Sequence, residues 1–233
     1  GIPSNKAWNQ PTLTNGTNKT KGTKKMIMLD EIRFKTDEEI DAFEEETFTK
    51  ERESVLAKIT PAAFAETDQS RLPSLHLDEA LKWAESKATK PLNLLLAGNT
   101  GVGKTRIAWE ALKARFSGWG KNADGKIISL NVSWRPVAIG AESFTRRLNK
   151  EWDLMEKLQW AKLLLLDDLG KERTTPTAES AIFELIRERM DNGLPTIYTT
   201  NFSPSTLVQR FVQKETGEAI SRRLDESSLK LVF

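Results

Sequence analysis

The chain has 233 residues, and its 35 basic against 33 acidic side chains give a formal net charge of +2, which alone indicates no class of partner. It contains no cysteine and a single histidine, His76, which excludes disulfides and thiol nucleophiles and argues against a histidine-based catalytic triad. No apolar run approaches the ~20 residues that span a membrane, and no secretory signal is visible. We therefore expect a cytoplasmic protein without a membrane partner.

Two segments of contrasting charge precede the apolar part of the chain. Residues 1–29 are rich in Asn, Thr, Gly and Lys, which is typical of a disordered basic tail. Residues 30–74 begin with an acidic stretch that Thr36 precedes as a helix N-cap would. The stretch predicts a helical arm, either a docking arm for a partner protein or a solvated helix lying on the core. The prolines and polar residues after it predict a linker.

Strands and helices alternate over the rest of the chain, residues 75–233. Apolar runs predict strands at 92–97, 126–132, 162–166, 194–200 and 229–233. Helical patterns lie before Pro91 and at 106–112, 140–160, 178–190 and 204–213. This alternation predicts an α/β fold, a parallel five-stranded sheet with helices on both faces. The basic face of the 140–160 segment is either plain surface or a phosphate-binding face.

One stretch in this series carries a phosphate-binding motif. The sequence GNTGVGKT fits G-x-x-x-x-G-K-[ST] and lies between a strand and a helix, the context that the motif needs. Its glycines turn backbone N–H groups inward around phosphate oxygens. Lys104 is expected to reach the β- and γ-phosphates, and the Thr105 hydroxyl to ligate Mg²⁺. The predicted nucleotide-binding residues are Gly98, Asn99, Thr100, Gly101, Val102, Gly103, Lys104 and Thr105.

Polar residues at the ends of two further strands complete this constellation. Asp167 and Asp168 follow four leucines, as in a Walker B motif. Nucleotide sites lie at the carboxyl ends of parallel strands. We therefore expect Asp167 to hold the Mg²⁺ hydration shell and Asp168 to polarise the attacking water. Asn201 ends the next strand, where it either contacts the γ-phosphate or opens a turn.

The order of these motifs resembles that of an AAA+ ATPase. GNTGVGKT, LLLLDDLG, a strand ending in TTN and the sequence AISRRL are similar to the group of DnaC/DnaI helicase loaders and IstB-like ATPases, in the clade of DnaA. The resemblance covers about residues 75–233 and places 140–160 in a helical insertion of the clade. It implies ATP and Mg²⁺ as cofactors, a homo-oligomer, and Asn201 as sensor 1. The family's arginine finger, which acts on the neighbouring subunit's γ-phosphate, matches Arg223, with Arg222 a close second.

Two departures from the family pattern qualify the expected activity. The second acid of the Walker B motif is Asp168, where many AAA+ proteins have glutamate, which argues against fast turnover but not against nucleotide binding. The chain ends shortly after the arginine pair, so that no C-terminal lid is evident from the sequence.

The resemblance implies an ATPase, slow alone and dependent on assembly, that delivers a replicative DnaB-type helicase to single-stranded DNA. The N-terminal region would contact the helicase by position, and the compact chain suits a phage or mobile element. Two alternatives stay open. One is an IstB-like transposition ATPase acting on duplex DNA, and the other is a nucleotide-gated adaptor that binds ATP with little turnover. A small P-loop kinase would leave Asn201 and the arginine pair without a role.

Overall fold

The computed structural model describes residues 36–86, 90–119, 135–171 and 175–233. The basic tail predicted at 1–29 and the strand predicted at 126–132 lie outside these residues. The chain divides into two units, Gly1–Glu44 and Glu45–Phe233. None of the described helices is long and apolar enough to cross a membrane.

The described part of the first unit begins with the N-terminus of the predicted acidic helix. The Thr36 hydroxyl accepts a hydrogen bond from the Glu39 backbone N–H, and the Glu39 carboxylate accepts one from the Thr36 N–H, both at 3.2 Å. This reciprocal capping box satisfies two N–H groups that a helix start leaves without intrahelical partners. The N-cap predicted at Thr36 is therefore confirmed.

Helices and strands alternate along the rest of the described chain, with one turn of 3-10 helix at Gln69–Arg71. The helices are α1 (Asp37–Ile59), α2 (Ala62–Ala65), α3 (Ser74–Glu85), α4 (Lys104–Ser117), α5 (Ala141–Arg147), α6 (Leu154–Trp160), α7 (Pro176–Asp191), α8 (Pro204–Val208) and α9 (Lys214–Ser227). The strands are β1 (Asn93–Ala97), β2 (Val137–Gly140), β3 (Leu164–Leu169), β4 (Thr196–Thr200) and β5 (Ser228–Val232).

The helical pattern at 140–160 allows one helix or a helix pair, and the structure shows the pair, α5 and α6, with Trp152 exposed in the turn between them. One predicted helix differs from that observed. The helix predicted over 204–213 ends at Val208. Its extension is prevented because the buried carboxylate of Glu179 accepts hydrogen bonds from the N–H groups of Val212 and Gln213, which fixes them as the start of α9 instead.

The described strands form one parallel sheet in the order β2-β3-β4-β1-β5. All of their carboxyl ends therefore lie along one edge, as in other doubly wound sheets. β1 lies between β4 and β5, and Ala97 at its end pairs with Thr200 on one side and Val232 on the other. The P-loop, the two acids and Asn201 follow three adjacent strands, so that this topology brings them together.

Helices cover both faces of the sheet. Leu164 and Leu166 of β3 belong to a core cluster with α5, α6, α7 and α9, whereas Leu165 between them belongs to a second cluster with α3 and α4. This alternation is the period of two expected of a strand buried on both faces. Each of these fully buried leucines contributes roughly 1.5–3 kcal/mol of hydrophobic stabilisation.

The predicted linker at 60–74 packs on the P-loop helix α4. The Lys113 ammonium donates to the Phe64 carbonyl at 2.9 Å, and the Gln69 amide donates to the Glu110 carboxylate at 2.9 Å. The Phe64 ring stacks near Trp109 with ring centroids 6.2 Å apart. Polar side chains of α4 thus satisfy backbone groups of a segment whose own sequence shows no helical period.

A buried arginine holds the C-terminal part of α1, within the second unit, on the core. The guanidinium of Arg52 donates to the carbonyls of Ser117 and Trp119 and lies 3.9 Å from the Phe48 ring centroid. Burial lowers the pKa of Arg52 to about 10, so that it remains charged at neutral pH. These contacts support the alternative in which this part of the acidic helix lies on the core.

Candidate nucleotide-binding site

The P-loop turns between β1 and α4 at glycines in left-handed conformations. Gly103, directly before α4, has a φ of 98°, which favours a residue without a Cβ atom. Gly98 has a φ of 148°, and a Cβ atom there would lie 2.8 Å from that of Phe233. The loop therefore presents its backbone N–H groups at the N-terminus of a 14-residue helix, the arrangement that binds phosphate.

Lys104 is the buried cation of the site. Its ammonium donates hydrogen bonds to the Asn99 carbonyl at 2.7 Å and to Oδ1 of Asn201 at 2.9 Å. Burial lowers the pKa of Lys104, while the charges of Asp168 and Asp167 oppose that effect. The predicted P-loop lysine and the predicted sensor 1 residue are thus in direct contact.

An irregularity at the end of β3 sets the direction of the two acids. Leu166 pairs with Tyr198 of β4 and Leu169 pairs with Thr200, so that two residues of β3 lie opposite Thr199 alone. Such a bulge re-aims side chains that strict alternation would send to opposite faces of the sheet. Asp167 and Asp168 are the two residues opposite Thr199, and each contacts a different side of the site.

Asp167 faces the first turn of α4. Its Oδ1 accepts hydrogen bonds from the hydroxyls of Thr105 at 3.0 Å and Thr199 at 2.5 Å. Burial raises the pKa of Asp167, the two hydroxyls partly offset this, and the charge of Asp168 adds to it. A cation at this position would relieve the desolvation of the carboxylate.

These oxygen atoms fit a magnesium ion. Mg²⁺ prefers oxygen ligands and usually binds through one or two protein groups together with water and phosphate. The Thr105 hydroxyl and the Asp167 carboxylate lie within hydrogen-bond distance of each other, so that one ion could be held by both. The donor chemistry agrees with the two metal-binding residues predicted from the sequence.

Asp168 lies on the other side of the site, in a tight turn. Its φ of 59° is left-handed, and the turn closes with a hydrogen bond of 3.1 Å from the Lys171 N–H to the Asp168 carbonyl. Oδ1 accepts from the Asn201 amide at 3.2 Å, and Oδ2 accepts from the Lys171 ammonium at 3.0 Å. Asn201 therefore bridges Lys104 and Asp168.

A cavity of about 450 Å³ adjoins the P-loop. Glycines 101 and 103 form one wall, and residues of the predicted linker, Glu66, Asp68 and Arg71, form another. The cavity is large enough for a nucleoside and carries groups that can accept or donate hydrogen bonds. Sequence reasoning did not include this wall in the site, because only the packing of the segment on α4 brings it there.

The two candidate finger arginines differ in their surroundings. The guanidinium of Arg223 lies 5.0 Å from the Phe183 ring centroid, and its Nη1 donates to the Ala219 carbonyl at 3.5 Å. Arg222 is exposed and forms no hydrogen bond or ion pair with any residue that the structure describes. Both lie on α9 and form no hydrogen bond with Lys104 or Asp168.

Sequence reasoning missed two residues that contact the acids, Thr199 and Lys171. The Thr199 hydroxyl donates to Asp167 and accepts a hydrogen bond of 2.8 Å from the Asp168 N–H, so that it joins the two acids. The signal for Thr199 was its place as the first residue of the TTN strand end. A single lysine three residues after an aspartate carries no comparable signal.

Replacing Thr199 with valine is expected to lower Mg²⁺-dependent ATP hydrolysis by about 10–100-fold, as loss of a hydrogen bond to a metal ligand typically does. The valine keeps the volume but removes the hydroxyl that orients the Asp167 carboxylate. A titration of the hydrolysis rate with Mg²⁺ would measure this as a higher half-saturating concentration. Thr199→Ser, which keeps the hydroxyl, should stay close to wild type, and equal titrations for all three proteins would contradict the assignment.

Comparison with known proteins identifies relatives of the chain. The chain is 30% identical to the replicative helicase loader DnaI of Bacillus subtilis over 164 residues, 65% of this chain and 47% of DnaI. It therefore spans about half the length of that relative. It is 24% identical over 180 residues to an ATP-binding protein in an insertion sequence of Mycobacterium tuberculosis, 76% of this chain and 66% of that protein.

Solved structures show the same fold. The crystal structure of the DnaC helicase loader superposes with a TM-score of 0.56 at 24% identity, covering 69% of this chain and 89% of that chain. The crystal structure of DnaI superposes with a TM-score of 0.53 at 18% identity, covering 69% of this chain and 94% of that chain. No protein-family model matches the chain. The predicted α/β P-loop fold with a parallel sheet is confirmed.

Proposed function

We propose that the chain, which is similar to the AAA+ ATPases of the DnaC/DnaI and IstB-like group, is a helicase loader that binds and hydrolyses ATP with Mg²⁺. It would assemble on ATP and deliver a replicative helicase of the DnaB type to single-stranded DNA. The observation that carries this proposal is the similarity to DnaI, which is named as a replicative helicase loader. The contacts among the P-loop, the two acids and Asn201 support the ATPase part.

The residues of the site supply the positioning that hydrolysis needs. The P-loop N–H groups hold the phosphates, and Lys104 exchanges its contact with Asn201 for the γ-phosphate. Asp168 accepts a proton from the attacking water, whose oxygen bonds to the γ-phosphorus as the bond to the β-phosphate oxygen breaks. ADP leaves with that electron pair. Thr105 and Asp167 would hold Mg²⁺, which would neutralise charge on the phosphates when bound.

The helices α5 and α6 offer a surface for single-stranded DNA. Trp152 is 91% exposed and Trp160 is 57% exposed, and the exposed cations Arg146, Lys150 and Lys157 lie on the same helix pair. Unpaired bases stack on aromatic rings while cations follow the phosphates, and a duplex hides the faces of its bases. This surface therefore favours single strands over duplex DNA.

The N-terminal part of the chain is the proposed helicase contact. Within the first unit, the acidic helix carries two partly exposed apolar side chains, Ile40 at 37% and Phe43 at 43%. Apolar residues interleaved with acids on one helix suit a groove with a basic rim on a partner. The assignment rests on position and on this surface chemistry.

Co-purification tests the proposal directly. The full chain should form a complex with a hexameric DnaB-type helicase in the presence of ATP, and ATP hydrolysis should release it. A matched sample of Lys104→Ala, which lacks the phosphate-binding ammonium, should not respond to ATP. Absence of binding to any such helicase, with or without ATP, would remove the proposal.

A transposition ATPase is the second candidate, favoured by the insertion-sequence relative. The two candidates differ in the DNA that they bind. Tighter binding to duplex than to single-stranded DNA of equal length and ionic strength would support the transposition role and contradict the loader.

A further inference from the structure

Lys171 contacts the acid that the proposed mechanism needs free. The proposed reaction requires one Asp168 carboxylate oxygen to receive the proton of water. Both oxygens already accept a hydrogen bond, Oδ1 from Asn201 at 3.2 Å and Oδ2 from the Lys171 ammonium at 3.0 Å. Asn201 is hydrogen-bonded to Lys104, so that its position can change when Lys104 binds the nucleotide. Lys171 forms no hydrogen bond with the P-loop.

The backbone turn that carries Lys171 packs against Leu207 and Arg210. Gly170 has a φ of 90°, and a Cβ atom there would lie 2.7 Å from the Leu207 side chain. The Gly170 carbonyl accepts a hydrogen bond of 3.1 Å from Nε of Arg210. A backbone movement that carries Lys171 away would break the hydrogen bond between Arg210 and Gly170, so that a change of side-chain rotamer is the simpler way to open the ion pair.

We propose that Lys171 is a positioning residue that restrains Asp168: its ammonium holds Oδ2 and stabilises the negative charge of the carboxylate, so that Asp168 accepts the proton of water more readily when this ion pair opens. The inference rests on the proposed function in taking Asp168 as the proton acceptor. The side chains are partly exposed, 58% for Lys171 and 34% for Asp168. Exposed pairs are weak, so the restraint is a small and easily released one.

Release of the restraint should raise the rate without changing nucleotide binding. Lys171→Met removes the charge and keeps the aliphatic stem, and it is expected to raise kcat of the full chain, without DNA or helicase, by about fivefold. KM and the Kd of a non-hydrolysable ATP analogue should stay within about twofold, because Lys171 lies off the phosphate-binding loop. Lys171→Arg keeps the cation and should match wild type.

Two further variants test whether Lys171 acts on the rate through the Asp168 carboxylate. Lys171→Met combined with Asp168→Asn should lose the gain, since the released oxygen is no longer a carboxylate. Lys214→Met is the matched control because it removes an exposed ion pair, Lys214 with Glu218 at 3.4 Å, on a helix outside the Asp168 turn. This control should leave kcat unchanged.

The outcomes separate this inference from the proposed function. A Lys171→Met rate no higher than wild type, including no turnover in either protein, would overturn the restraint whatever the chain binds. Equal gains for Lys171→Met and Lys171→Arg would overturn it too, because the arginine retains the charge. A faster Lys171→Met with a normal Lys171→Arg supports it even if no helicase binds, in which case only the loader proposal fails.

Discussion

Replacing Arg222 with alanine is expected to lower the assembly-dependent ATPase rate by about 10³-fold, the lower end of the effect of removing an arginine finger. An arginine that acts on a neighbour's γ-phosphate has to be available at the surface of its own subunit. Arg222 is exposed and without partners among the described residues, whereas Arg223 is engaged with Phe183. We therefore propose Arg222 as the finger, although the resemblance ranks Arg223 first.

Steady-state hydrolysis at increasing protein concentration would measure the effect, because only an assembled protein depends on a finger in trans. Arg222→Ala should bind the nucleotide as well as wild type does. Arg223→Ala is the paired control: it loses a cation–π contact worth about 0.5–1 kcal/mol and should affect stability more than rate. The opposite pattern, with Arg223→Ala inactive and Arg222→Ala active, would assign the finger to Arg223.

Mixing two inactive variants tests whether the arginine acts between subunits. Lys104→Ala cannot hold its own nucleotide but keeps Arg222, and Arg222→Ala has the reverse defect. If the arginine acts in trans, the mixture should recover activity that neither variant shows alone. A mixture as inactive as its parts would indicate that Arg222 acts within its own subunit or not at all.

The positions of the central site residues follow from the sequence because motif and topology agree. Asp167 and Asn201 directly follow predicted strands, the P-loop that ends in Lys104 follows another, and parallel strands place such ends on one edge. No knowledge of side-chain contacts is needed for that step. The contact of Asn201 with both Lys104 and Asp168 then follows from the adjacency of the strands.

The remaining parts of the site depend on contacts that no local pattern encodes. The segment at 60–74 contains prolines, and its apolar residues show no helical or strand spacing. Polar side chains of α4 nevertheless hold it beside the P-loop. Lys171 reaches the Asp168 carboxylate because the backbone makes a left-handed turn at Asp168. Strand propensity predicts no such turn for an aspartate within a strand. Strand β2 was not predicted, since four residues between Pro136 and α5 are too few for a periodic signal.

The structure also shows a fully buried cation, Arg189, which the sequence did not predict. It lies three residues after Ile186 on α7, so that its side chain enters the core at helical spacing. Its guanidinium donates to the carbonyls of Leu158, Ala161 and Pro195 at 2.6 to 2.7 Å. Burial lowers the pKa of Arg189 to about 10, which still leaves it charged at neutral pH.

Replacing Arg189 with methionine is expected to lower the free energy of unfolding by about 3–5 kcal/mol. Methionine fills a similar volume, and the Pro195 carbonyl keeps a hydrogen bond from the Leu164 N–H, but the Leu158 and Ala161 carbonyls at the end of α6 lose the guanidinium donor. These carbonyls include those that the end of a helix leaves unsatisfied. Because domains are stable by only about 5–15 kcal/mol, the loss is a large fraction of the total. Thermal unfolding should show it as a Tm lower by about 10 °C.

Two variants make this result interpretable even if Arg189→Met folds poorly. Arg187→Ala, on the same helix, removes an arginine that is 44% exposed and pairs, among the described residues, with neighbouring Glu188 alone, and it should change stability by less than about 0.5 kcal/mol. Arg189→Lys keeps the charge but has three donors in place of the fork of five, so that its Tm should fall between those of the other two. An Arg189→Met protein as stable as Arg187→Ala would show that water replaces the guanidinium, and that the cation is not needed to join α6, α7 and β4.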